Sequence, residues 1–206
     1  MAQRYVSNKD ESVPLFENRF LDRLSYVHPS VPVVLYLPVI AFLVYRALAH
    51  PTLSVLALLS LFLGGILAWT FTEYVIHRFV FHLEGSSAVA RYILHLMHGV
   101  HHDYPNDSRR LVMPPVISIP LALFFYGVFG LLLEQTYLFA FFPGFLFGYV
   151  CYDTIHYATH HFPMKSRIGQ WLKRHHIRHH YQDEELGYGV SSPLWDYVFK
   201  TTFPKK

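Results

Sequence analysis

The chain holds a single cysteine, Cys151, among its 206 residues. An internal disulfide is therefore excluded, as is a zinc or iron–sulfur site built on several thiolates. Cys151 sits in an apolar run, the ordinary place for a small buried hydrophobe. Charge is scarce too. Only 15% of residues are Asp, Glu, Lys or Arg, against 52% hydrophobic and 17% aromatic. That balance is too apolar for an ordinary soluble domain and unlike a disordered one. A net charge of +3 gives no support to a nucleic-acid partner. A secretory signal is missing as well. Residues 1–30, "MAQRYVSNKDESVPLFENRFLDRLSYVHPS", have no short apolar core between a basic start and a small-residue cleavage site. This stretch is expected to lie, partly ordered, at a membrane surface.

Two things are abundant: apolar runs and histidine. The apolar runs cover about 31–49 (with Pro38 and Arg46), 52–76, 115–133 and 137–152. A bilayer core of about 30 Å takes about 20 helical residues. The second and third runs meet that length, and the first does so with its flanks. The fourth is short and contains Pro143, Gly144 and Gly148, so a kink or a close helix–helix approach is expected there. Short links at His50–Pro51 and Glu134–Gln135 suggest two helical hairpins. The expected fold is all-α and integral to a membrane. Four transmembrane helices in 31–206 carry a helical cap made from 77–112 and 153–206. Every Lys and Arg except Arg46 falls in 1–30, 77–112 or 153–206, which puts these regions on the cytoplasmic side.

Of the 15 histidines, ten fall into four spaced groups on that same side. They are His77 and His82; His98, His101 and His102; His156 and His160; and His176, His179 and His180. On a helix, residues three or four apart share a face. His98 can join His101 or His102, His156 can join His160, and His176 can join His179 or His180. Adjacent residues point about 100° apart, so the pairs His101–His102 and His179–His180 can each serve two metals. The spacing of His77 and His82 fits no regular helical face. It demands either a local distortion or one ligand to each metal. Ten imidazoles exceed the needs of one ion and suit two, with about five each. Imidazole accommodates zinc, copper, iron and nickel. A metal pair above apolar helices is placed to oxidise an unactivated C–H bond of a lipid with O2, which favours iron.

The segments "HGVHHDYPNDSRRLVMPP" (98–115), "GYVCYDTIHYATHH" (148–161) and "HHIRHHYQDEELGYGVSSPLWDYVF" (175–199) resemble the fatty acid hydroxylase/sterol desaturase superfamily, and within it the fatty acid 2-hydroxylases. The resemblance runs from about Phe71 to Phe203. It implies that the ten histidines ligate two Fe ions. It also implies hydroxylation at C2 of a fatty acid, or of the N-acyl chain of a ceramide-type sphingolipid, with O2 as co-substrate. Many relatives carry a fused cytochrome b5-type domain for which this chain has no room. A separate electron donor is therefore expected, either a cytochrome b5-like protein or a ferredoxin with its reductase. Zinc can replace iron at imidazole sites in purified protein.

Glu73, Asp103, Asp153 and Asp183 lie within four residues of these histidines and are candidates to orient the rings by accepting their free N–H. Arg109 and Arg110 are candidates for the lipid headgroup, and Tyr188, Trp195 and Tyr197 for the acyl entrance. Interfacial anchoring is the ordinary role of such residues. A desaturase, a sterol or carotenoid oxygenase shares the same oxidant. A metal-handling membrane protein is the rival from another class, but it would need ligands along a path inside the bilayer. The membrane would be the endoplasmic reticulum or a bacterial inner membrane.

Overall fold

The computed structural model describes residues 5–204. The first four residues of the N-terminal segment and the last two of the cap lie outside the described residues. Every regular element among those described is helical: α1 (Arg19–Leu24), α2 (Val31–Leu48), α3 (Val55–Ile76), α4 (Ala88–Leu94), α5 (Val100–Asp103), α6 (Pro115–Gly130), α7 (Gln135–His161), α8 (Arg167–Tyr181) and α9 (Leu194–Val198). One turn of π-helix continues α3 over His77–Phe81, and another, His95–Gly99, joins α4 to α5.

Three helices are long and apolar enough to cross a membrane: α2, α3 with its π-turn, and α7. The expectation of four full spans is not met by length. The third run yields only the 16 residues of α6, about 24 Å at 1.5 Å per residue, because the chain leaves the helix at Leu131. The fourth run behaves in the opposite way. Expected to end near Tyr152, α7 continues to His161, 27 residues in all, or about 40 Å. Pro143 lies inside it, as proline can in membrane helices, where neighbouring groups satisfy the freed carbonyl.

α7 is the axis of the bundle. Two-thirds of its span is buried, against 17% for α3. The principal packing does not follow the two short links, since α2 and α3 both lean on α7 and touch each other little. Each helix shows why. On α2 the buried residues Tyr36, Ile40, Leu43 and Ala47 repeat at three and four, forming one stripe. On α3 the exposed Leu56, Leu59, Leu63, Leu67 and Phe71 form a lipid-facing stripe, and Leu58, Gly65, Trp69 and Glu73 turn inward. The glycines of both helices set the contact distance. A Cβ at Gly65 would overlap the carbonyl oxygen of Phe141, and one at Gly144 would overlap that of Phe62. Small residues of this kind let membrane helices approach backbone to backbone. Above this crossing Trp69 packs on Phe145, Tyr149 and Tyr152.

Residues 5–30 strap across the 103–113 loop. The Val6 and Ser7 amides donate to the Asp103 carbonyl, and Val27 N donates to Arg109 O at 2.8 Å. Ser12 Oγ donates to Asp107 Oδ1 at 2.6 Å. At the middle of this junction sits Arg110, between Asp22 (3.3 Å) and Asp107 (3.2 Å), with its guanidinium 4.5 Å from the Tyr26 ring. Its side chain is buried and fully committed. Replacing Arg110 with alanine should free the strap, and amide hydrogen exchange over 19–27 should accelerate by about tenfold or more, as expected of a segment held by few apolar contacts. Unchanged exchange would leave the guanidinium available for a headgroup instead.

Candidate metal centre

The cap gathers all ten histidines. His77, His82, His98, His102 and His179 form one group, and His101, His156, His160, His176 and His180 form a second. In each group one ring nitrogen per residue lies within 4.8 Å of all the others.

Local structure explains the sorting. The π-turn at 77–81 closes a hydrogen bond from His82 N to His77 O, an i to i+5 link that brings both rings to one face. On the next element His98 meets His102, its i+4 neighbour, at 3.0 Å between Nε2 atoms. His101 turns to the second group and meets His156 at 2.8 Å. On α8 His176 meets its i+4 neighbour His180 at 3.0 Å, and His179 turns the other way. α7 contributes His156 and His160 from the part of the helix beyond Tyr152. The two groups adjoin, with the His102 and His180 rings 4.4 Å apart between centroids.

The donor geometry fits a bound cation. Nε2 of His98 is approached by Nε2 of both His77 and His102, each at 3.0 Å. Nε2 of His176 is likewise approached by those of His160 (2.9 Å) and His180 (3.0 Å). A ring nitrogen carries one proton or one lone pair, so it cannot satisfy two such neighbours. Two imidazoles bound side by side at about 2.1 Å from an ion would sit about 3 Å apart. Nε2 of His82 and of His179 is buried with no hydrogen-bond partner among the described residues. Burial also keeps the cap rings neutral. It lowers His82 to about 4 and His102 to about 3. His98, His101, His176, His179 and His180 fall well below the usual imidazole value through burial, reinforced by the neighbouring rings. Neutral imidazole is the form that ligates. Phe81 stacks on His98 and Tyr152 on His156, shielding the groups from water.

The acids picked out from the sequence do other work. Glu73 accepts from the Val190 and Ser191 amides and the Ser191 hydroxyl. Asp153 accepts from Met113 N. Asp183 caps a turn at Glu185, and Asp103 faces His95 at 3.9 Å. None of the four hydrogen-bonds a ring of the two groups. Backbone carbonyls take that part: His77 Nδ1 donates to Tyr188 O, and His179 Nδ1 to Leu186 O at 2.9 Å. A carbonyl has no sequence identity, so residue type cannot announce it. Glu184, passed over in the sequence, lies 3.8 Å from Nδ1 of His102.

Of the proposed substrate residues, Tyr188 is buried against His77, His82 and His179. Trp195 bonds Thr70 and packs on Phe71. Arg109 is exposed, and Arg110 is held in the strap described above. Tyr197 lines a cleft of about 510 Å³ with Arg174, His175 and Arg178, on the far side of α8. No member of either histidine group lines that cleft. A narrow apolar crevice between α3, α6 and α7, lined by Trp69, Leu121, Phe125, Phe145 and Tyr149, closes two turns from His156.

Comparison with known proteins places this arrangement. A family model described as fatty acid hydroxylase matches residues 62–201. The ceramide very long chain fatty acid hydroxylase SCS7 of Saccharomyces cerevisiae is 40% identical over 193 residues, covering 92% of this chain and 49% of that protein. The fatty acid 2-hydroxylase of Mus musculus is 38% identical over 216 residues, covering 94% and 58%. The dihydroceramide fatty acyl 2-hydroxylase FAH1 of Arabidopsis thaliana is 35% identical over 192 residues, covering 93% and 80%. A solved structure of full-length Scs7p, with only its hydroxylase domain visible, superposes with a TM-score of 0.85 at 39% identity, over 92% of this chain and 71% of that one. The chain thus spans about half the length of the first curated relatives it matches.

Proposed function

Because the chain belongs to the fatty acid hydroxylase family, we propose that it hydroxylates C2 of a fatty acyl chain, either a free acid or the N-acyl chain of a ceramide-type lipid. The carrying observation is the pair of five-histidine groups with converging Nε2 atoms, set at the C-terminal ends of the apolar helices α3 and α7. The relatives' names specify 2-hydroxylation and ceramide, and they support that position and that lipid class. The ten histidines would hold two metal ions, iron in the working enzyme. When bound, these supply the activation of O2 for C–H oxidation.

The chain's own residues do the rest. The Tyr188 and Leu186 carbonyls fix the tautomers of His77 and His179, leaving Nε2 free to ligate. Phe81, Tyr152 and Tyr188 keep water from the rings. The narrow apolar crevice from Trp69 to Tyr149 would have to widen to take an acyl chain with its polar end towards the cap. The residues described here form helices and a cap, so electrons arrive in this reading from a carrier outside them, a cytochrome b5-like protein or a ferredoxin. The bias of Lys and Arg towards the histidine-bearing side supports a cytoplasmic position for the site.

The test is lipid mass spectrometry. The chain and its His180→Ala variant are expressed in a host free of 2-hydroxylated acyl chains, with a reductase and carrier supplied. The expected result is one added oxygen at C2 with the parent chain and none with the variant. Loss of two hydrogens, or oxygen placed elsewhere, would keep O2-dependent lipid oxidation and overturn the C2-hydroxylase assignment.

A further inference from the structure

We propose that Asp196 is a positioning residue for one of the two histidine groups and not for the other. It acts through the 186–190 turn, and the proposal rests on reading the groups as metal sites.

Asp196 is fully buried in the cap. Both of its carboxylate oxygens are saturated. Oδ1 accepts from Tyr188 N at 3.0 Å and from Thr201 Oγ1 at 2.8 Å. Oδ2 accepts from Gly189 N at 2.8 Å and from His175 Nε2 at 3.1 Å. Its own carbonyl accepts from Thr201 N, and Gly187 N donates to Thr201 O. The turn it gathers cannot be reshaped cheaply. Gly187 has φ +77°, and a Cβ there would overlap the Phe203 ring. Glu73 grips the far end of the same turn through Val190 and Ser191. Two buried carboxylates therefore hold four consecutive amides, Tyr188 and Gly189 from Asp196 and Val190 and Ser191 from Glu73.

That turn presents the two carbonyls that orient imidazoles, Leu186 O to His179 and Tyr188 O to His77. Both rings belong to the same group, with His82, His98 and His102. The 186–190 turn orients no ring of the other group, in which Nδ1 of His160, His176 and His180 finds no partner among the described residues. The dependence on Asp196 is thus one-sided. Groups that orient a metal ligand from behind change affinity by about 10–100-fold when lost. Here one carboxylate stands behind two ligands of a single ion, through the amide of Tyr188 and the fold of the turn.

The experiment loads detergent-purified full-length protein with Zn2+ in slight excess, desalts it, and counts metal per chain by mass spectrometry. The parent is expected to retain about two ions and Asp196→Asn about one, as for two independent imidazole sites. Combining Asp196→Asn with His98→Ala should cost nothing beyond either change alone. Combining it with His176→Ala should strip both ions. Retention of two ions by Asp196→Asn, or loss of both with the single change in a folded protein, would overturn the proposal. Should Asp196→Asn fail to fold, Thr201→Val removes one donor and keeps the carboxylate. It is expected to weaken one zinc ion by about tenfold, and unchanged affinity for both would overturn the proposal. A parent chain that holds no zinc fails differently, because it removes the metal reading itself.

Discussion

Replacing His98 or His176 with alanine is expected to reduce lipid 2-hydroxylation to background, a loss of at least about 100-fold, since removing groups that merely orient a ligand already costs 10–100-fold. The two variants test the division of the histidines. His98 stands at the centre of one group, 3.0 Å from both His77 and His102 between Nε2 atoms. His176 holds the same place in the other, between His160 and His180. Each substitution removes the donor that two others share, and each should release one ion while leaving the second, so metal falls from about two per chain to about one. Activity should nonetheless vanish in both cases, because the rings of His102 and His180 adjoin at 4.4 Å and the groups work side by side. Hydroxylation that survives in either variant, at a tenth of the parent rate or more, would mean that a single ion suffices.

The second large effect is mechanical. Gly144→Leu is expected to abolish folded protein or to lower its thermal midpoint sharply in detergent. Overpacking a core costs about 1–3 kcal/mol, and the upper end applies here. The obstacle is the Phe62 carbonyl of α3, which no rotamer change can move. Gly127→Ala in α6 is the control. A Cβ at Gly127 meets nothing within 4 Å, so alanine should stabilise by about 0.5–1 kcal/mol through its helix preference. Any Gly144→Leu protein that does fold should have lost metal from the His156–His160 group, although no ligand is altered. A Gly144→Leu chain with parental stability and metal content would show that the α3–α7 contact is looser than its geometry indicates.

The histidine spacings carried most of what the sequence could say about the site. The i+5 interval of His77 and His82 demanded a distortion, and a π-turn supplies it. Spacing left open whether His98 pairs with His101 or His102, and whether His176 pairs with His179 or His180. The i+4 choice in both cases depends on where each helix points, which is a tertiary matter. The apolar runs located the helices but misjudged two ends. Pro143, Gly144 and Gly148 suggest a kink or a close helix–helix approach in the fourth run; the glycines serve close packing, and the helix continues without a break to His161. Asp196 lies between two aromatics already noted, Trp195 and Tyr197. An acid alone in so apolar a stretch was the available signal. The strap of residues 5–30 was beyond reach, because its partners, backbone and side chain alike, lie some 80 to 100 positions away.

Helix α7 has one more consequence. It runs unbroken from the α3 crossing at Gly144 to the donor atoms of His156 and His160, so it would fix an altitude: how far the proposed metal centre stands above the membrane interior. In the proposed reaction, a lipid held by its polar end at that surface would bring to this height the carbon beside its head, with the methyl end deep. For the proposed hydroxylation, elevation would then decide which carbon is oxidised as much as any pocket does. A helix lengthened or shortened by one turn, about 5.4 Å, would move the oxidised position along the chain.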